Sequence, residues 1–381
     1  MRAGILTFHR ASNYGTALQA YATAAALRSL GVDAQIIDYR PEHLEQTLRV
    51  RTLACARSLK EVASIVVNRM IYGNQIAEKY ERFKRFFERM PCSERICRTM
   101  EEVQSAAQDY DVLLSGSDQL WNERITGDDL TYFLPFAHPY KISYASSFGV
   151  RQIDRRRSEC ISPLLADFKH LAMREETARQ IVKDVLGQKV QADMPALHRV
   201  VDPTLLLTAQ EWKQQMADDV ELFPDGYILT YYMIETPVLR AITKRLQQQT
   251  GLPVVNIKPS KRQMLMREGK NMMWAGPAEF LRCYAGAKYV VTNSFHGTAF
   301  AINFGIPFYV APIPFSRAGE VNARLVEILS WYEASDRFVG TLEEAESIAA
   351  APLADGFKSV CQKRREESLA ILKDMLQDAC V

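Results

Sequence analysis

The opening of the chain alternates strand and helix in a pattern that leaves few folds available. Ile5-Leu6-Thr7-Phe8 is a short apolar run, followed by the polar turn Ser12-Asn13-Tyr14-Gly15. From about Thr16 to Leu30, Leu18, Tyr21, Ala22, Ala25 and Leu27 recur at near-helical spacing, and Gly31 supplies a helix terminator. Ala34-Gln35-Ile36-Ile37-Asp38-Tyr39 reads as the next strand. Strand, loop, helix and strand in this order make a βαβ unit, and hence a parallel sheet with right-handed crossovers.

The rhythm breaks between Arg49 and Arg98, where twelve Lys or Arg face five acidic residues and no strand run stands out. This stretch is expected to be a pair of inserted helices, presenting either a solvated face or a contact for an anionic membrane surface. Alternation then resumes with strands at Asp111–Ser115, Lys141–Ala145 and Leu171–Met173, and a last short one around Val200–Pro203. A second series starts near Trp212, with strands at Tyr227–Tyr232, Val254–Ile257, Tyr289–Thr292 and Pro307–Val310. Helices are expected at 237–249, 277–285 and 298–304. Two series predict an α/β chain of two Rossmann-like domains facing across a cleft. The first spans residues 1–205, with the insertion at about 49–98. The second spans 206–381, and its last helix is a candidate for packing back on the first domain.

Composition narrows the class. Of 381 residues, 48% are hydrophobic and 24% charged, the balance of a globular chain, and a net charge of +2 gives no footprint for nucleic acid. The N-terminal apolar run is too short for a signal peptide, and no segment reaches the roughly 20 apolar residues of a bilayer span. A cytoplasmic location is expected, with peripheral contact at the inner face of the membrane left open. Seven cysteines without a C-x-x-C pair suit reduced thiols better than a metal cluster, so no metal is expected.

The chemistry-bearing residues lie just past strand ends, where open α/β sheets bind ligands. In Thr292-Asn293-Ser294-Phe295-His296-Gly297-Thr298 a strand gives way to a polar turn and then a helix. The free amides of that helix start attract an anion, Ser294, Gly297 and Thr298 lie around it, and His296 stands beside it as a candidate acid. Gly297 would let a ligand approach the backbone. Arg174 follows a strand end and offers a fork for carboxylate or phosphate, or a surface ion pair with Glu175 or Glu176. Arg317 and Arg324 follow the strand ending at Val310 and could close over the same pocket; Lys258 and Lys261 are further cations of this kind. In the first half Asn13, Asp118 and Gln119 could bind hydroxyl groups, although turn and helix-cap chemistry explains Asn13 equally well. Phosphate-loop, dinucleotide, zincin and α/β-hydrolase motifs are absent from the sequence.

In series, these segments resemble the bacterial polysaccharide pyruvyl transferase family. They are Gly4-Ile5-Leu6-Thr7-Phe8-His9 with Asn13-Tyr14-Gly15, Gly116-Ser117-Asp118-Gln119-Leu120-Trp121, and Ser143-Tyr144-Ala145-Ser146-Ser147-Phe148-Gly149. Arg174-Glu175-Glu176, Val201-Asp202-Pro203-Thr204 and Asn293-Ser294-Phe295-His296-Gly297 with Phe304-Gly305-Ile306-Pro307-Phe308 continue it. The resemblance implies a GT-B-like fold and transfer of pyruvate from phosphoenolpyruvate onto two sugar hydroxyls, with a cyclic ketal formed and phosphate released. It implies a nucleotide-linked or lipid-linked precursor of a cell-surface polysaccharide as acceptor, and no cofactor besides phosphoenolpyruvate as donor substrate. By motif it makes His296 the acid and Arg174 a donor-binding group, with Arg317 as the basic residue after the histidine motif. A nucleotide-sugar glycosyltransferase or a non-catalytic sugar-binding relative would share the scaffold.

Overall fold

The computed structural model describes residues 1–44, 59–187, 195–314 and 318–380. Seven strands form the first sheet: β1 (Arg2–Leu6), β2 (Asp33–Tyr39), β3 (Cys92–Cys97), β4 (Val112–Ser115), β5 (Lys141–Ser146), β6 (His170–Met173) and β7 (Ala196–Arg199). Their order is β3-β2-β1-β4-β5-β6-β7, with every pairing parallel. The second sheet holds β8 (Tyr227–Tyr231), β9 (Val254–Asn256), β10 (Lys270–Asn271), β11 (Ala287–Thr292) and β12 (Phe308–Val310), in the order β10-β9-β8-β11-β12 and again parallel. Each sheet reverses direction of growth once, between β1 and β4 and between β8 and β11. Crevices open at such switch points beyond the carboxyl ends of the strands.

Two expectations need correction. The stretch 49–98 is not purely helical: it holds one long helix, α2 (Leu59–Glu88), and then the edge strand β3; residues 45–58 lie outside the described residues. Cys92-Ser93-Glu94-Arg95-Ile96-Cys97 escaped notice because an edge strand with one half-solvated face needs no apolar run. The last strand of the first sheet is Ala196–Arg199 rather than Val200–Pro203, and Pro203 opens a short 3-10 turn instead.

Helix α1 (Tyr14–Ser29) is buried on nearly all sides, because its small residues let the second domain cover the face that the first sheet leaves free. Asn13 caps it, accepting from the Gly15 amide at 2.9 Å and the Thr16 amide at 3.4 Å. Tyr14 then reaches across the domain boundary. Its ring stacks on Phe280 at 4.7 Å, its hydroxyl donates to the Ala275 carbonyl at 2.8 Å, and Tyr231 meets it edge-on at 5.8 Å. Helix α2 joins the same junction, pairing Arg82 with Glu279 on α4 (Pro277–Ala285).

Two further links tie the domains. In α3 (Glu176–Leu186), Glu175 stands at the N-cap without supplying a side-chain cap. Glu327 of α6 (Ala318–Trp331) caps it instead, accepting from the Glu176 amide at 2.8 Å, the Thr177 amide at 3.4 Å and the Thr177 hydroxyl. The long helix α7 (Phe357–Gln377) reaches the first sheet: Ser368 Oγ accepts from the Val201 amide at 3.0 Å and Tyr140 donates to the Met375 carbonyl at 2.9 Å. No helix among the described residues is long and apolar enough to cross a membrane.

Candidate active site

The carboxyl end of β11 leads into α5 (Phe295–Phe304), with Ser294 in extended geometry as N-cap. Ser294 Oγ accepts from the Gly297 amide at 3.3 Å, and the Thr298 hydroxyl donates to the Ser294 carbonyl at 3.0 Å. A Cβ on Gly297 would stand 2.3 Å from Thr292 Oγ1 and 3.0 Å from Tyr231 Cδ1, and its carbonyl accepts from Tyr284 Oη at 3.1 Å. Gly297 is there so that β8, β11 and α5 can close on one another, a task different from the ligand approach expected of it. Ser294, Gly297 and Thr298 are buried parts of the helix start, and what they fix is the direction of His296.

His296 occupies the first turn of α5, its ring edge-on to Phe295 and its Nε2 3.6 Å from Asp202 Oδ2. That separation is too long for a hydrogen bond, and Nε2 is buried without a hydrogen-bond partner. Asp202 follows β7 and is itself 1% exposed. One of its oxygens takes the Thr204 amide at 3.0 Å and the Thr204 hydroxyl at 2.7 Å; the other takes Arg174 Nη1 at 2.8 Å. Burial alone would raise the Asp202 carboxyl, but His296, Arg174 and Thr204 outweigh it and hold the group well below the usual carboxylate range.

Arg174 follows β6. Its Nε donates to Glu175 at 2.8 Å, its guanidinium lies 4.3 Å from the Phe295 ring centroid, and Asp118 stands 3.8 Å from Nη1. Burial disfavours the cation, yet Glu175, Asp202 and Asp118 more than compensate and keep it charged. Both Glu175 and Asp202 are buried, so neither partner is a surface ion pair. Nη2 alone has no acceptor and is buried. The site therefore offers two unsatisfied nitrogens, Arg174 Nη2 and His296 Nε2, grouped around one carboxylate, Asp202.

The first domain supplies the opposite wall. Gly15 lies so close to His296 that a Cβ on it would stand 2.0 Å from Nδ1. Gly15→Ala is therefore expected to force the cleft apart or turn the imidazole, at a cost of about 1–3 kcal/mol. A chemical melt that shows this loss together with slower turnover would confirm the contact; wild-type behaviour in both would refute it. Beyond Gly15 a cavity of about 220 Å³ is lined by Asn13, Thr16, Asp118 and Gln119 together with Phe8, Arg10, Tyr39 and Tyr132. Asp118, at φ 78°, accepts from the Thr16 hydroxyl at 3.1 Å, and Gln119 accepts from Asn122 at 2.8 Å.

The structure thus brings His296 and Arg174 together through Asp202, and sets Asn13, Asp118 and Gln119 on an adjoining cavity. Arg317 lies outside the described residues. Arg324 lines a narrow void shared with Arg174, Asp202 and Phe295. In the sequence, Asp202 falls in the expected last short strand rather than in the site, and Gly15 in a turn. The signal for Asp202 was an acid directly after the apolar pair Val200-Val201 at a sheet's edge. No group of three or more His, Cys, Asp or Glu able to hold a metal is found among the described residues.

The profile of the polysaccharide pyruvyl transferase family matches residues 13–311. No curated protein matches the chain. Among solved structures, UDP-GlcNAc 2-epimerase from Methanocaldococcus jannaschii is similar over 98% of this chain and 99% of its own, with a TM-score of 0.54 and 12% identity. The Streptomyces sp. SF2575 glycosyltransferase SsfS6 covers 99% of both chains at 13% identity, with a TM-score of 0.46. At 12% identity the likeness to the epimerase is one of fold, and the two parallel sheets form the two-domain GT-B arrangement.

Proposed function

Because the chain belongs to the polysaccharide pyruvyl transferase family, we propose that it transfers a pyruvyl group from phosphoenolpyruvate to a sugar of a cell-surface polysaccharide precursor. The observation that carries this reading is the pair of unsatisfied nitrogens, Arg174 Nη2 past β6 and His296 Nε2 past β11, held about Asp202. An enol phosphate with a carboxylate needs a cation for its charge and an acid for its methylene carbon. Arg174 meets the carboxylate. His296, its Nε2 3.6 Å from Asp202, is the group placed to protonate the methylene and leave the central carbon electrophilic. One sugar hydroxyl adds to that carbon, the C–O bond to phosphate breaks, and the second hydroxyl closes the ketal. The two hydroxyl protons leave with phosphate and solvent bases. Asp118 and Gln119, at the cavity next to Arg174, position the acceptor hydroxyls.

The acceptor is a nucleotide-linked or lipid-linked sugar, and the reaction draws on no further cofactor. The reading places the protein in the cytoplasm, at the side of the membrane where such precursors are assembled. The test is acceptor-dependent phosphate release from phosphoenolpyruvate, run beside nucleotide release from sugar nucleotides with the same acceptors. Phosphate release with a ketal in the product supports the proposal. Nucleotide release without it would make the chain a glycosyltransferase, and neither product would leave a non-catalytic sugar-binding relative.

A further inference from the structure

The loop after β1 and the end of β2 meet around one buried carboxylate. Asp38 Oδ1 lies 2.9 Å from His9 Nε2 and accepts from Arg10 Nε at 3.1 Å and Arg40 Nε at 2.8 Å. Its Oδ2 accepts from Arg10 Nη2 at 3.3 Å and from Arg40 Nη2. His9 is buried, and its Nδ1 stands 3.0 Å from the Thr7 carbonyl. A carbonyl and a carboxylate both need a hydrogen from the ring, so the two contacts are made together only by the imidazolium. Burial alone would raise the Asp38 carboxyl, but Arg40, His9 and Arg10 outweigh it and hold the group well below the usual carboxylate range. His9 and Arg10 by themselves bring two positive charges to one negative, and Arg40 joins the same carboxylate.

All three cations line the cavity of about 220 Å³ that also carries Asp118 and Gln119. Asp118 is the one acid among its described lining residues, and the Thr16 hydroxyl and Arg174 already face it. The Arg10 side chain is 30% exposed against 4% for Asp38. Its Nε and Nη2 are engaged by the carboxylate, while Nη1 has no acceptor among the described residues. Asp38 thus fixes the plane of a guanidinium whose remaining edge is open to a ligand. Phe8 and Tyr132, edge-on at 4.9 Å, add an apolar wall on which a sugar ring can pack. The lining therefore combines hydroxyl-directed groups, an apolar face and an excess of positive charge.

We propose that Arg10, oriented by Asp38, is the specificity-determining cation of this cavity and takes a phosphate carried on the acceptor sugar, so that glycosyl phosphates and diphosphates are preferred to neutral glycosides. The inference rests on the pyruvyl-transfer reading for the role of that sugar as acceptor. Nucleotide-linked and lipid-linked sugars share the phosphate and differ in what lies beyond it. Arg174 stays with the donor, so the two anions of the reaction are held by separate arginines.

The experiment is calorimetric binding of inorganic pyrophosphate, UDP, farnesyl diphosphate and phosphoenolpyruvate to the full chain, in wild type, Arg10→Gln and Arg10→Lys. Arg10→Gln is expected to weaken pyrophosphate binding about tenfold or more, the loss of one charge-assisted hydrogen bond, with partial recovery in Arg10→Lys. Phosphoenolpyruvate affinity should stay at the wild-type value in both variants. Asp38 keeps His9 and Arg40 when Arg10 is gone, and Arg10→Lys keeps the charge, so a folded variant is at hand for the comparison. Whichever of UDP and farnesyl diphosphate binds more tightly than pyrophosphate, and loses that gain in Arg10→Gln, identifies the carrier as nucleotide or lipid. Wild-type pyrophosphate affinity in Arg10→Gln, no binding of any diphosphate by wild type, or an equal loss of phosphoenolpyruvate affinity overturns the proposal. Arg10-dependent diphosphate binding without pyruvyl transfer to any acceptor leaves the site standing and removes the reading of function. Transfer to neutral glycosides with KM values as low as for glycosyl diphosphates does the reverse.

Discussion

On the proposed pyruvyl-transfer reading, replacing His296 by Gln is expected to slow ketal formation by a factor of about 10²–10⁴, the range of a positioned general acid, while donor binding stays close to wild type. The asymmetry follows from the surroundings of the imidazole. Its Nε2 has no hydrogen-bond partner to lose, and Asp202 keeps Arg174 and Thr204 when the imidazole is gone. Single-turnover phosphate release measured beside calorimetric titration of phosphoenolpyruvate separates the two effects. Retained turnover would remove His296 from the chemistry, and lost binding with retained chemistry would recast it as a donor ligand.

The second large effect concerns stability. Arg174→Met removes the cation shared by Glu175 and Asp202, both nine-tenths or more buried, and strands their charges. Breaking a buried pair of this kind costs about 3–5 kcal/mol. Asp202→Asn added to Arg174→Met should recover part of that loss, because the double variant buries one charge fewer. Denaturant melts in a double-mutant cycle measure the coupling, and purely additive losses would show that the two do not act as a unit. The pH dependence has a definite sign. The Asp202 carboxyl is held below its unfolded value, so its contribution is present above about pH 4. It is lost as pH falls through the depressed folded value. Asp202→Asn should flatten the acid limb of the stability curve.

Much of this arrangement is legible in the residues themselves. Strand ends followed by polar turns mark both switch points, which is why His296, Asp118 and Asn13 can be placed before any coordinates. What stays hidden is of two kinds. Pairings between distant segments leave no local trace: Asp202 reads as part of a short strand until β6 and β7 set it beside Arg174. Roles that depend on the partner domain are equally silent, as with Gly15, whose missing side chain makes room for a ring 281 positions away. The edge strand Cys92–Cys97 shows the opposite failure, an element whose polar face conceals it from a search for apolar runs.

The cap that Glu327 places on α3 couples the two domains through a helix start. Helix α3 begins two residues after Arg174, and its first amides find their acceptor only on the other domain. Swinging the domains apart would therefore unseal the start of the helix that follows Arg174. Any opening that parted α3 from α6 would leave those amides without their acceptor until the two helices met again.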